Sequence, residues 1–260
     1  MNIVRAVMIG DIVGSPGLEA LETKLPKIIE ENQIDFVTVN GENAADGFGM
    51  TETDFRRIIA AGADVVTSGN HVWEKRDFWQ ILENEKIMLR PANYSGAPGA
   101  GFVGVEKNGV FWFVINLQGR EFMNAIDCPF QCFDSIAKTL SNTASPPVIL
   151  VDFHAESTRE KETLAYYIDG RVSLIAGTHT HVQTADERVL PNGSAYITDL
   201  GMTGITDSVI GMDTKICHER FFKQIQYQLK TAASKESGKV QGVIAEIDAD
   251  TGKAISVKRI

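Results

Sequence analysis

Short apolar runs alternate with amphipathic stretches from the first residues of this chain. "IVRAVMI" reads as a buried strand. "SPGLEALETKLPKIIEEN" repeats its apolar residues at helical spacing, with Ser15 placed as N-cap, Pro16 at the first helical position and Pro26 as an interruption. "DFVTVNGEN" is a second strand. "TETDFRRIIAAG" is a helix opened by Thr51-x-x-Asp54 and closed by Gly62. "ADVVTSGNH" is a third strand. Three strand–loop–helix units in succession predict a largely parallel inner sheet.

The pattern then changes. "GFVGVEKNGVFWFVINL" predicts a hairpin turning at Asn108-Gly109. "FDSIAKTL" and "REKETLAYYI" read as helices, the second capped by Ser157. "PPVILVDFHAE", "VSLIAGTHTH" and "GSAYITDLG" are strands, and "KVQGVIAEIDADTGKAISVKRI" is two strands joined around "DADTG". "KICHERFFKQI" is a helix carrying His218, and "AASKESGK" is a polar loop. The expected fold is α/β (α+β): a four-layer αββα sandwich of two mixed sheets flanked by helices, as one domain over 1–260. The Gly-rich 201–213 is either a lid or an ordered connection between strands.

Bulk properties narrow the function. A chain of 260 residues can bury a sizeable core. Its net charge of −9 argues against a broad surface for duplex nucleic acid. A small anion stays compatible, because a bound cation can make one cleft locally positive. No apolar run reaches the length of a membrane span, and the N-terminus lacks the pattern of a signal peptide. The three cysteines, with Cys128 and Cys132 four apart, fit reduced thiols in a cytoplasmic protein. Subunit number stays open, and a homo-oligomer is compatible with everything above.

The candidate chemistry lies where apolar strands end. Asp11 ends the first strand, Glu42 and Asn43 the second, Asn70 and His71 the third. His154 follows "VILVD", and His179 and His181 follow "SLIAG", so four of the five histidines fall in this context. Loops at the carboxyl ends of parallel strands converge on one crevice. Two carboxylates, two amides and several imidazoles, with no thiolate, suit iron, manganese or zinc. The set exceeds one tetrahedral ion and matches two ions sharing a carboxylate. Two divalent ions bring about +4; Asp11, Glu42 and a bridging hydroxide return about −3, which leaves about +1 to attract a phosphate ester. His179 and His181 would point the same way on a strand; in a tight loop they could diverge toward different ions.

The order "GD…GEN…GNH…DFHAE…GTHTHVQT" resembles the calcineurin-like metallophosphoesterase superfamily, and more closely the YmdB family of bacterial metallophosphodiesterases. "LRPANY", "NLQGREFM", "DFHAESTREK" and "TDLGMTGITDSVIGM" extend the resemblance over nearly the whole chain. Two departures from the wider superfamily point to the same subgroup. Its usual Asp-x-His motif has Val13 where the imidazole would stand, and its bridging Asp is replaced by Glu42, with Asn43 beside it. The resemblance implies that Asp11, Glu42, Asn43 and His181 hold one metal. It implies that Glu42, Asn70, His154 and His179 hold the other, with Glu42 as bridge and His71 free as general acid.

It also implies a reaction: hydrolysis of a small phosphodiester, such as a 2′,3′-cyclic nucleotide, by a metal-bridging hydroxide while His71 protonates the departing alkoxide. Iron or manganese, divalent or mixed-valence, is the expected cofactor, with zinc and magnesium still open. Two alternatives stand beside it. One is a slow or non-catalytic nucleotide sensor acting through a partner protein; the other is a phosphomonoesterase.

Overall fold

A computed structural model describes residues 2–140, 147–234 and 237–260. Met1, Pro146 and two residues of the expected polar loop, Lys235 and Glu236, lie outside the described residues.

The first half builds one sheet. Strands β1 (Ile3–Ile9), β3 (Phe36–Asn40) and β4 (Val65–Thr67) run parallel, separated by α1 (Gly14–Asn32) and α2 (Glu52–Ala60), and the short α3 (Trp79–Asn84) follows β4. The C-terminal strands β12 (Gly242–Asp248) and β13 (Lys253–Arg259) add antiparallel to β1, giving the order β13-β12-β1-β3-β4. The second sheet has the order β5-β6-β7-β8-β10-β9. It comprises β5 (Phe102–Lys107), β6 (Val110–Gln118), β7 (Val148–His154), β8 (Leu174–Thr178), β9 (Arg188–Val189) and β10 (Ala195–Ile197). Its central strands β6, β7, β8 and β10 are parallel. The β5–β6 hairpin turns at Asn108 and Gly109, both at positive φ (54° and 76°), as a two-residue turn of this hand requires.

The pleat explains the layers. Along β1, Val4, Ala6 and Met8 point into the space between the sheets, whereas Val7 and Ile9 point outward under α1 and α2. Along β7, Val148 and Leu150 face the other sheet, and Ile149, Val151 and Phe153 face α4 (Pro129–Thr139) and α5 (Thr158–Ile168). Phe36 and Trp112 stack across the interior with ring centroids 4.6 Å apart, one from each sheet. The central strands of both sheets are thus buried on both faces, which is why they read as near-continuous apolar runs. The result is the expected αββα sandwich of two mixed sheets.

Caps and joints follow the sequence except at the start of α1, where Pro16 is the third helical residue and not the first. Thr51 and Asp54 close a full capping box on α2, and Ser157 Oγ accepts from the Glu160 N–H to cap α5. Ser15 is not the cap of α1: the N-cap is Val13, with no side-chain hydrogen bond. Extended pairing runs right up to the helix, because the Val13 N–H donates to Thr203 O and the Gly14 N–H to Asn43 O. Gly14, at φ 62°, then turns the chain directly into α1. Pro26 lies inside α1 without ending it.

Residues 201–213 are paired to the rest of the fold near both ends. Their first part is strand β11 (Met202–Thr203), paired with β2 (Asp11–Ile12); their last is a hairpin closed by paired Val209 and Met212. His218 sits on α6 (Thr214–Lys223), stacked on Phe222. Among the described residues no helix is long and apolar enough to cross a membrane.

Candidate metal centre

The parallel strands deliver their polar termini to one place. Asp11 leads β2, Glu42 and Asn43 follow β3, and Asn70 and His71 open a single 3₁₀ turn (Asn70–Trp73) after β4. His154 is the last residue of β7, and His179 and His181 follow β8. Asp11, Glu42, Asn43 and His154 are buried; His71, His179 and His181 open onto the surface.

Three donor atoms crowd around His154 Nε2. Glu42 Oε1 lies 3.1 Å from it, Asn70 Oδ1 3.1 Å and His179 Nδ1 3.0 Å. One ring nitrogen carries at most one proton, so hydrogen bonding cannot satisfy all three neighbours. A cation can: ligand atoms about 2.1 Å from one ion and at right angles lie about 3.0 Å apart. Glu42, His154 and His179 also form a group able to offer one ligand atom each to a common ion.

The second group lies beside it. Asn43 Nδ2 is 3.0 Å from His181 Nε2 and donates to Glu42 Oε1 at 3.1 Å. Asp11 Oδ1 is 4.0 Å from His181 Nε2. Asp11 Oδ1 and Asn43 Oδ1 are buried oxygens with no hydrogen-bond partner, and buried acceptors are rarely left so. Turning the Asn43 amide over would exchange Nδ2 for Oδ1 in the same space. The donor set and these orphaned oxygens fit a pair of cations. Asp11, Glu42, Asn43, Asn70, His154, His179 and His181 thus lie beside one another. His71 is set apart from the tight group, its Nδ1 3.4 Å from Glu74 Oε1 and its ring edge-on to Phe48 at 5.1 Å.

His179 and His181 both adopt positive φ, 103° and 63°, and their rings diverge: one joins His154, the other Asn43. Such strain persists only when the surroundings over-determine it. Asp199 does so from below, accepting from the Thr180 N–H (3.1 Å), Thr180 Oγ1 (2.8 Å) and buried Lys161 Nζ (2.7 Å). The Asp11 carboxylate accepts the His179 N–H at 3.2 Å, and the Ile210 carbonyl accepts from His181 Nδ1 at 2.9 Å.

A second layer, not anticipated from the sequence, stands behind His154. Its Nδ1 pairs with Thr178 Oγ1 at 2.9 Å, and Thr178 Oγ1 donates to buried Asp152 Oδ1 at 2.7 Å. Asp152 also accepts from Thr67 and Asn40, so the network joins both sheets. It fixes the proton on Nδ1 and turns Nε2 toward the cluster. Gly69 is required for space: a Cβ there would come within 2.2 Å of His154 and 2.3 Å of Glu42. The Gly of "SGNH" was the one visible signal of this close approach.

The electrostatics match a cation site. Burial pushes Glu42 up, but the His154 charge and hydrogen bond, with His71 and His179, outweigh it and hold the carboxyl down at about 2. Burial raises Asp11 to about 6 against the pull of His181 and His154. Burial would lower His154, yet Glu42, Asp11 and Asp152 raise it to about 9. Burial and the neighbouring His154 push His179 down to about 3. The two buried carboxylates thus favour positive charge at this end of the His154 ring. A cavity of about 360 Å³ opens over the cluster, polar at Glu42, Asn43 and the histidines and apolar at Phe48, Ile210, Met212 and Leu229.

Known proteins resemble this chain over nearly its whole length. A family described as YmdB-like protein matches residues 7–260. A 2′,3′-cyclic-nucleotide 2′-phosphodiesterase of Bacillus subtilis (strain 168) is 44% identical over 259 residues, 99% of this chain and 96% of its own. The crystal structure of a hypothetical protein from Thermus thermophilus superposes with a TM-score of 0.91 at 36% identity, covering 99% of this chain and 98% of that one. A structure described as a novel phosphatase from Mycoplasma pneumoniae gives a TM-score of 0.91 at 32% identity, covering 100% and 93%. A match of this length and identity makes the chain a member of the YmdB-like family.

Proposed function

We propose that this protein is a metal-dependent phosphoric diester hydrolase whose substrates are 2′,3′-cyclic nucleotides, with residues 1–260 acting as one domain. The observation that carries the reading is the clustering of seven oxygen and nitrogen side chains, buried Glu42 among them, beneath an open cavity. The similarity to the Bacillus subtilis phosphodiesterase supports the choice of substrate.

Asp11, Glu42, Asn43 and His181 would hold one ion, and Glu42, Asn70, His154 and His179 the other. Iron or manganese suits this thiolate-free set. Such ions supply Lewis-acid polarisation of the phosphoryl oxygens and lower the pKa of the attacking water. The protein does the rest. Thr178 and Asp152 hold His154 in one tautomer. The Asp199 clamp fixes the turn between His179 and His181. His71 protonates the departing ribose oxygen from Nε2, while its Nδ1 faces Glu74 and Phe48 holds the ring plane. Its backbone N–H donates to Glu42 Oε2 at 3.2 Å, which ties the acid to the shared carboxylate. The three unpaired thiols suit a cytoplasmic setting.

Steady-state hydrolysis of 2′,3′-cyclic AMP, with metal content measured on the same sample, tests the reading. Turnover with about two metals per chain is expected. Two bound metals without turnover, with manganese or iron supplied, would sink it and leave the nucleotide-sensor alternative.

A further inference from the structure

Phe122 is in an unusual position for its residue type. It lies at the third position of a turn, Arg120 to Met123, closed by the Met123 N–H donating to Arg120 O at 3.2 Å. Its φ is 65°, where turns of this kind call for glycine or asparagine. A bulky residue there is a backbone outlier. The residue is nevertheless 83% exposed, so burial of the side chain does not offset the strain.

The turn is clamped from outside. The Glu160 carboxylate accepts from the Arg120 and Glu121 N–H groups, each at 3.0 Å. The Glu121 carboxylate in turn takes hydrogen bonds from Ser157 and Arg159. All three partners belong to the start of α5, just after His154. The strand-end imidazole and the strained turn are therefore fixed to the same rigid segment. The turn borders a cavity of about 180 Å³ lined by Asn70, Phe122, Met123, Asn124 and His179. Ile210, the other exposed apolar residue strained beside the site, gives its carbonyl to His181. Phe122 has no such duty to a candidate ligand.

We infer that Phe122 is the stacking platform for the nucleobase, and so a specificity-determining residue of the site. This deepens the phosphodiesterase reading and rests on it. A flat, uncharged heterocycle laid on an exposed phenyl face is held by stacking, whatever its hydrogen-bonding edge. Backbone strain held by an external clamp is how a site keeps such a ring presented before substrate arrives. A cyclic phosphate seated over Asn70 and His179 would carry its base toward this rim.

The test compares two five-membered cyclic diesters, one with a base and one without. With manganese-loaded full-length protein, kcat/KM is measured for 2′,3′-cyclic AMP and for glycerol 1,2-cyclic phosphate. The wild type should prefer the nucleotide. Phe122→Ala should lower the ratio of the two constants about 10-fold, mostly through KM for the nucleotide, and Phe122→Tyr should restore it. Equal losses on both substrates, or an unchanged ratio, would overturn the platform while leaving the phosphodiesterase reading intact. No turnover of either substrate by the wild type would instead defeat that reading, and the platform with it.

Discussion

The donor atoms around His154 and those around His181 are organised in different ways. Around His154, three partners from three strand ends stand at 3.0–3.1 Å. Behind the ring, a hydroxyl and a buried carboxylate fix its tautomer. Around His181, Asn43 presents its amide nitrogen, Asp11 Oδ1 stands 4.0 Å away, and two buried oxygens lack partners. Behind this ring there is one backbone carbonyl, on the tip of a hairpin. The first group is held in place by the protein alone. The second must turn an amide and draw in a carboxylate, so an ion would do part of its organising. Pre-organisation of one proposed site and not the other predicts two unequal metal-binding steps, the tighter at His154.

The largest perturbation should abolish the contrast. Glu42→Gln removes the carboxylate shared by both groups. Activity should fall on the order of 10³-fold, and metal content should drop at both steps together. Retention of two metals with full turnover would remove Glu42 from the bridge. His71→Ala should cost on the order of 10²-fold in kcat, with both binding steps unchanged, because His71 is proposed as an acid and not as a ligand. Loss of one step in this variant would make His71 a ligand and defeat its role as acid. Thr178→Val should act on one group only. It keeps the shape of the side chain, removes the hydroxyl between His154 and Asp152, and should weaken the tighter step about 10- to 100-fold. Thr178→Ser should restore it. Equal weakening of both steps, followed by calorimetric titration, would show that the contrast is not set by this hydroxyl.

The contrast was only half legible in the sequence. The strand ends were readable because apolar runs stop at Asp11, Glu42, Asn70, His154 and His179, and parallel strands bring such ends together. The layer behind them was not. Asp152 looks like one polar residue in a strand, and its partners Thr67 and Thr178 lie 85 and 26 residues away. Which polar residues meet inside the sandwich depends on the packing of two sheets, and periodicity along one strand carries no such information. The Lys161–Asp199 pair was hidden for the same reason, 38 residues apart and buried at both ends. Ser15 failed as a cap because pairing with the distant Thr203 extends the strand to the edge of α1. A motif reports on its own neighbours, whereas a cap or a ligand support is decided by whatever the fold packs against it.

The smallest expected effect gives the control for all of these. Thr180 lies between the two histidines, and its hydroxyl and N–H both donate to Asp199 Oδ2. Thr180→Ala removes the hydroxyl bond and keeps the backbone bond, so Asp199 stays paired with Lys161. A hydrogen bond to a charged group contributes about 1.5–3 kcal/mol. In a chain of this size each kcal/mol moves Tm by about 2–4 °C, so thermal scanning should show a fall of about 3–12 °C. The loop carries one histidine from each group, so loosening it should weaken both metal-binding steps by a similar few-fold factor. Thr178→Val and Thr180→Ala thus act two residues apart, yet one should move a single step and the other should move both. If Thr180→Ala weakened only the His181 step, the clamp would serve that ring alone, and the shared-loop explanation for the His-Thr-His spacing would fall.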